Sequence, residues 1–113
     1  NASLYDKYFM NITEIEIPKR RSNSKHTFHL YVIRSGRRDE LAAYLSSHGI
    51  ETAIHYPTSL HNLPAYSYLG YKPNDFPISN AYQSEILSLP MYPELSEKQI
   101  EFIANTIKSF FNQ

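Results

Sequence analysis

Cysteine is absent from these 113 residues, and so is tryptophan. Without a thiol there is no disulfide, no cysteine nucleophile and no thiolate-held zinc. A cytoplasmic setting is compatible with that and is the expected one. Glycine occurs three times, too few for a glycine-rich phosphate cradle. Neither sign of charge dominates: 11 Lys and Arg stand against 11 Asp and Glu, a net charge of zero with histidines neutral. A nucleic-acid surface needs a cationic excess to displace counterions. The basic cluster Lys19, Arg20, Arg21 and Lys25 reads as a solvated loop. Long apolar runs are missing as well. The stretch 30–33 is far shorter than the roughly 20 residues a membrane helix needs, and no signal peptide is visible. No G-x-S-x-G elbow, G-x-x-x-x-G-K-S loop or H-E-x-x-H helix occurs.

What the chain has in quantity is aromatic surface: 10 Tyr and 6 Phe. A phenol buries its ring while keeping its hydroxyl paired, so many tyrosines suggest a surface built for contact. With 42% hydrophobic and 19% charged residues, the composition is that of a globular protein. By size, residues 1–113 make a single domain.

The patterning predicts an α+β domain: a small, mainly antiparallel sheet with helices mostly on one face. Residues 4–10 read as the tail of a helix. Ile15 and Ile17 alternate with Glu14 and Glu16, the period of a half-buried strand. Residues 26–34 (HTFHLYVIR) look like the strongest strand. Phe28, Leu30 and Val32 fall on one face and His29, Tyr31 and Ile33 on the other, so a central strand covered on both sides is expected. His26 and His29 then point to opposite faces and make a poor metal pair. A helix follows over 38–48, with Asp39 and Glu40 in its first turn and Gly49 at a left-handed exit. Residues 51–55 form a short strand that Pro57 ends. Pro64 opens a helical turn that closes near Gly70. Pro77 starts another helix, and 86–89 is a strand closed by Pro90. Ser96 and Gln99 form a capping box. Behind it, Ile100, Ile103, Ala104, Ile107, Phe110 and Phe111 line one helical face.

The chain is organised around 49–61, GIETAIHYPTSLH. His55 and Tyr56 stand side by side where a strand runs out, a place that holds side chains while leaving them accessible. His61 and Tyr66 follow among prolines. Such polar-tipped rings can bind an anion, a sugar or an aromatic ring. Spacing alone favours a packed aromatic loop with satisfied histidines over a site. A metal shared by His55 and His61 lacks an evident third ligand, so no metal is expected.

The motifs R-D-E-L, G-I-E-T-x-I-H-Y-P, L-H-x-x-P-A-Y, L-G-Y, D-F-P and S-L-P-M-Y-P-E-L occur in this order between 38 and 95. With their flanks, over about 28–110, they resemble the DegT/DnrJ/StrS family of pyridoxal-phosphate-dependent sugar aminotransferases, and in particular its C-terminal small domain. The resemblance implies the aspartate-aminotransferase fold. It implies a large domain elsewhere that carries the cofactor's lysine and the acid facing its pyridine nitrogen. Neither motif is found here: Lys19, Lys25, Lys72 and Lys98 sit in loops or at a helix start. The expectation is therefore a domain with no catalytic or cofactor-binding residues of its own, inactive in isolation. Pyridoxal 5'-phosphate would belong to the full-length enzyme, a homodimer that takes a keto-sugar nucleotide and an amino-acid donor in polysaccharide or glycan precursor synthesis. By the same resemblance His55 and Tyr56 lie near the cleft and His61 at its rim, as substrate-binding residues. Arg34 is a weaker candidate for an anionic substrate group, a surface or salt-bridge role being the favoured one. Asn80 departs from the family pattern, where an acid is common. A domain separated from its partner should also expose an aromatic patch around Tyr56, Pro57 and Tyr66. Two other readings compete: a stand-alone module binding a nucleotide sugar or a protein, and a small hydrolase or metal enzyme built on His55 and His61.

Overall fold

A computed structural model describes residues 1–112 of the chain. Helix α1 is Ala2–Phe9, followed by strand β1 (Tyr31–Arg34) and helix α2 (Arg38–Ser47). Three 3-10 turns come next, Leu60–Asn62, Pro64–Leu69 and Pro73–Asp75. Helix α3 (Pro77–Glu85), strand β2 (Ile86–Leu89) and helix α4 (Glu97–Phe111) complete the order.

Local signals set the helix ends. Gly49 takes φ 74° just past α2, where a side chain would be strained. Its N–H donates to the Ser46 carbonyl at 3.0 Å, and the Ile50 N–H donates to Leu45 at 3.0 Å. These are the two bonds of a Schellman exit, and the buried Ile50 packs in the same core as Leu45. At α4 the Ser96 hydroxyl accepts from the Gln99 N–H at 3.3 Å, and the Gln99 side chain accepts from the Ser96 N–H at 2.9 Å. Behind this cap, Ile100, Ile103, Ala104, Ile107 and Phe110 are buried.

The strands are antiparallel, with Tyr31 opposite Leu89 and Arg34 opposite Ile86. Single bridges extend the pairing on both sides, Glu16 to Arg34 and Ala53 to Ser88. The spatial order is therefore 16, β1, β2, 53. The two-residue period places Tyr31, Ile33, Leu87 and Leu89 on one face. They share one core with Tyr5 and Phe9 of α1, Leu41 and Leu45 of α2, and the apolar stripe of α4. The α+β expectation holds, with α1, α2 and α4 on this face.

Three details differ from the sequence reading. The strand expected over 26–34 begins only at Tyr31. Phe28 takes φ 52°, and its N–H donates to His26 Nδ1 at 2.8 Å with the rings stacked 4.2 Å apart. That local turn ends any extended run before it starts. Nor is β1 covered on both sides: Tyr31 and Ile33 are buried, while Val32 and Arg34 are half-buried on the opposite face. The segments around 16 and 53, expected as strands, pair through one bridge each.

Two tyrosines sit at the centre of the core, both with no exposed surface. The Tyr5 hydroxyl donates to the Pro90 carbonyl at 2.9 Å, and the Tyr31 hydroxyl to Asp6 Oδ1 at 2.7 Å. Burial raises the pKa of each above the ordinary phenol value. Tyr92 adds to the effect on Tyr5, and Asp6 adds to it on Tyr31 against the opposing charge of Arg20. The folded state thus holds two protons that the unfolded chain releases near pH 10. Stability should be complete below pH 10 and fall steeply as pH rises further. Tyr31→Phe should flatten that alkaline slope by about half. Chemical denaturation midpoints between pH 8 and 11.5 check both.

Candidate functional site

After Ala53 bridges to Ser88 and Ile54 packs half-buried against the core, the chain leaves the core, and no residue from 51 to 86 is fully buried. This excursion forms a lobe that carries much of the exposed apolar surface. Tyr56 (80% exposed), Leu60, Tyr66, Tyr68, Leu69, Tyr71, Phe76, Ile78 and Tyr82 all lie on it. The aromatic patch expected around Tyr56, Pro57 and Tyr66 is present, and it extends further than those residues.

Polar contacts hold the lobe together and to the core. The Asn80 side-chain oxygen accepts from Asn62 at 2.9 Å and from Gln83 at 3.1 Å. Gln83 in turn accepts the Ser59 N–H at 2.9 Å. Asn80 therefore acts as one member of a neutral amide network. Arg38, nearly buried, donates to the carbonyls of Gln83 and Ile86 at 3.3 and 3.1 Å. Arg34 does more. Its Nε and Nη2 donate to Glu85 at 2.9 and 2.6 Å, and its Nη1 donates to Glu16 at 2.9 Å and to the Tyr82 hydroxyl at 3.0 Å. Its guanidinium also lies 3.8 Å over the Tyr82 ring. Every side-chain nitrogen of Arg34 is thereby engaged, fastening α3 and the segment at Glu16 to the sheet.

The other candidates occupy different parts of the same surface. His55 is exposed, two residues beyond Ala53, and its Nδ1 lies 2.9 Å from the Ser88 hydroxyl. Tyr56 follows with its ring edge-on to the imidazole, 6.3 Å away. His61 stands on the first 3-10 turn, its Nε2 3.3 Å from the Pro73 carbonyl and its ring 5.0 Å from Phe76. Together with Leu60, Tyr66, Leu69, Tyr71 and Phe76 it lines a groove of about 410 Å³. A second groove of about 570 Å³, sharing Leu60 and Ser79 with the first, runs past Tyr56, Pro57 and Gln83 to Tyr82 and Ile86.

Chemically the grooves offer phenol rings, an imidazole, the Gln83 amide, the hydroxyls of Thr58, Ser59 and Ser79, and apolar walls. That set can stack on a planar or sugar ring and exchange hydrogen bonds with hydroxyls. Among the described residues no lysine or carboxylate lines either groove, and no three His, Cys, Asp or Glu converge as a metal site. Ser88 and the groove walls Leu60, Tyr71 and Phe76 all lie inside the quoted motifs, but sequence reasoning assigned none of them to the site and took 88–93 as structural packing. Ser88 did leave a signal, a lone hydroxyl inside the apolar strand Ile86–Leu89.

Comparison with known proteins places this surface in context. The model of the DegT/DnrJ/EryC1/StrS aminotransferase family matches residues 1–108. A pleiotropic regulatory protein of Geobacillus stearothermophilus is 43% identical over 83% of this chain and 25% of its own length. The dTDP-3-amino-3,6-dideoxy-alpha-D-galactopyranose transaminase of Aneurinibacillus thermoaerophilus is 33% identical over 85% of this chain and 26% of its own. Among solved structures, DesV of S. venezuelae in complex with a ketimine intermediate superposes with a TM-score of 0.94 at 28% identity, over 99% of this chain and 30% of that one. A putative sugar aminotransferase of Streptococcus pneumoniae, solved in its PLP form, gives 0.81 at 26% identity, over 95% of this chain and 28% of that one. The chain spans between a quarter and a third of the length of these proteins, and it has the fold of the corresponding part of an aminotransferase.

Proposed function

The chain belongs to the DegT/DnrJ/EryC1/StrS aminotransferase family, and on that premise we propose that it is the C-terminal, substrate-facing domain of an enzyme that aminates a keto-sugar nucleotide. Pyridoxal phosphate supplies that chemistry as an electron sink once a lysine tethers it and an acid faces its ring nitrogen. The residues described here do not fit that group. Lys7, Lys19, Lys25, Lys72 and Lys98 are exposed, and Lys108 lies on α4 beside the Tyr8 ring. The proposal therefore assigns the cofactor to a large domain of the same protein, and assigns to this chain one wall of the cleft. It further places the whole enzyme in the cytoplasm as a homodimer, with an amino acid as donor.

One observation carries this reading. An eighty-per-cent exposed Tyr56, an exposed His55 and a groove with His61 all sit on a lobe that buries none of its own residues. A lobe of this kind gains little from its own packing, so its apolar side chains are suited to contact with something else. In the proposal His55 and Tyr56 hydrogen-bond the substrate, His61 shapes the rim, and Arg34 supports the lobe from behind. Kinetics of the full-length enzyme test it. His55→Ala should lower kcat/KM for the sugar nucleotide roughly ten-fold, the equivalent of one hydrogen bond of about 1.4 kcal/mol. Unchanged kcat/KM in both His55→Ala and Tyr56→Phe would remove these residues from the cleft.

A further inference from the structure

We propose that Ser88 is a positioning residue: its buried hydroxyl grips the His55 imidazole at Nδ1 and leaves Nε2 as the ring nitrogen offered to a ligand. This rests on the reading of His55 as a substrate contact and adds the group that aims it.

The sheet makes Ser88 a fixed point. Its N–H donates to the Ala53 carbonyl at 2.7 Å, and its carbonyl accepts the Ala53 N–H at 3.1 Å. On its other edge it stands opposite Val32 in β1. Pairing on both sides leaves its backbone little freedom. Ala53 and His55 are two residues apart, so an extended chain carries both side chains to the face of Ser88. That is how an imidazole 33 positions away in sequence comes within 2.9 Å of the hydroxyl.

The burial pattern is one-sided. Ser88 is 4% exposed, whereas His55 is exposed. A hydroxyl taken out of water costs free energy unless it is hydrogen-bonded, and His55 is its one side-chain partner among the described residues. Alanine would fill the same strand position without that cost. The arrangement gains something on the other side of the bond: an exposed imidazole, otherwise free to rotate, is held in one rotamer. Fixing the ring in advance lowers the entropy lost when a ligand binds. With Nδ1 occupied, hydrogen bonding to a ligand falls to Nε2.

Three-bond couplings across χ1 of His55, measured by NMR on the isotopically labelled 113-residue chain, test this without substrate. The wild type should give the couplings of a single rotamer. Ser88→Ala should give averaged values and lose the hydrogen-bond displacement of the Nδ1 nitrogen shift. Ser88→Thr, which keeps the hydroxyl on a strand-compatible side chain, should restore both. Averaged couplings in the wild type overturn the proposal whether or not any variant folds, and so does a single rotamer that survives Ser88→Ala. If Ser88→Ala frees the ring but His55→Ala leaves kcat/KM of the full-length enzyme untouched, Ser88 still holds the ring and the substrate reading of His55 is what fails.

Discussion

Supplied with pyridoxal phosphate, an amino-acid donor and a keto-sugar nucleotide, the 113-residue chain is expected to give no turnover above that of the free cofactor. An intact enzyme typically accelerates its reaction by about 10⁶-fold or more, so the whole of that factor should be missing. The reason lies in the groups the lobe presents. Its grooves are lined by phenols, an imidazole, one amide, aliphatic hydroxyls and apolar side chains. Such groups orient a substrate, but none is an amine that could tether the cofactor or an acid that could hold its ring nitrogen protonated. The test is a coupled assay together with the absorbance spectrum of the chain after gel filtration with cofactor. Turnover, or a retained visible band, would mean that an amine of this chain reaches the cofactor after all. The first lysine to replace would then be Lys72, beside the groove residue Tyr71.

Replacing Ile107 with alanine is expected to produce the largest loss of stability of any single apolar truncation in α4. Ile107 has no exposed surface, and it lies where α4 closes over the core shared by α1, α2 and the sheet. Removing its outer carbons costs the transfer free energy plus the cavity left behind, roughly 3 kcal/mol. Domains of this size are stable by only about 5–15 kcal/mol, so the melting temperature should fall by on the order of 10–15 °C. Thermal unfolding followed by circular dichroism measures it. Phe102→Ala on the opposite face of α4, where the ring is 52% exposed, should cost well under half as much. Equal losses at the two positions would mean that α4 is packed on both faces, against the burial pattern.

The helices were legible in the sequence because their signals act within one turn. Ser96 and Gln99 cap α4 by reaching each other across three residues, Gly49 ends α2, and Pro77 begins α3. Apolar side chains at 3.6-residue spacing then named the buried face of α4 in advance. The family resemblance was equally local, carried by runs such as the one around His55 and Tyr56. The alternation of 26–34 was a weaker guide. It named Tyr31 and Ile33 together on one face, but it could not show that Phe28 turns the backbone left-handed and cuts the strand short.

What the sequence alone determined, then, was the helical framework, the antiparallel α+β plan and the presence of an aromatic stretch around His55. Tertiary structure decided how that stretch is used. Arg34 reaches Glu85 across 51 positions and His55 reaches Ser88 across 33. Neither pairing leaves a periodic trace, because each depends on which strands lie side by side and in what register. Burial works the same way. Ile78 and Tyr82 sit on α3 at a spacing that looks like a core face, yet both are exposed, because α3 stands on the lobe and contributes no residue to the core that α1, α2 and α4 share.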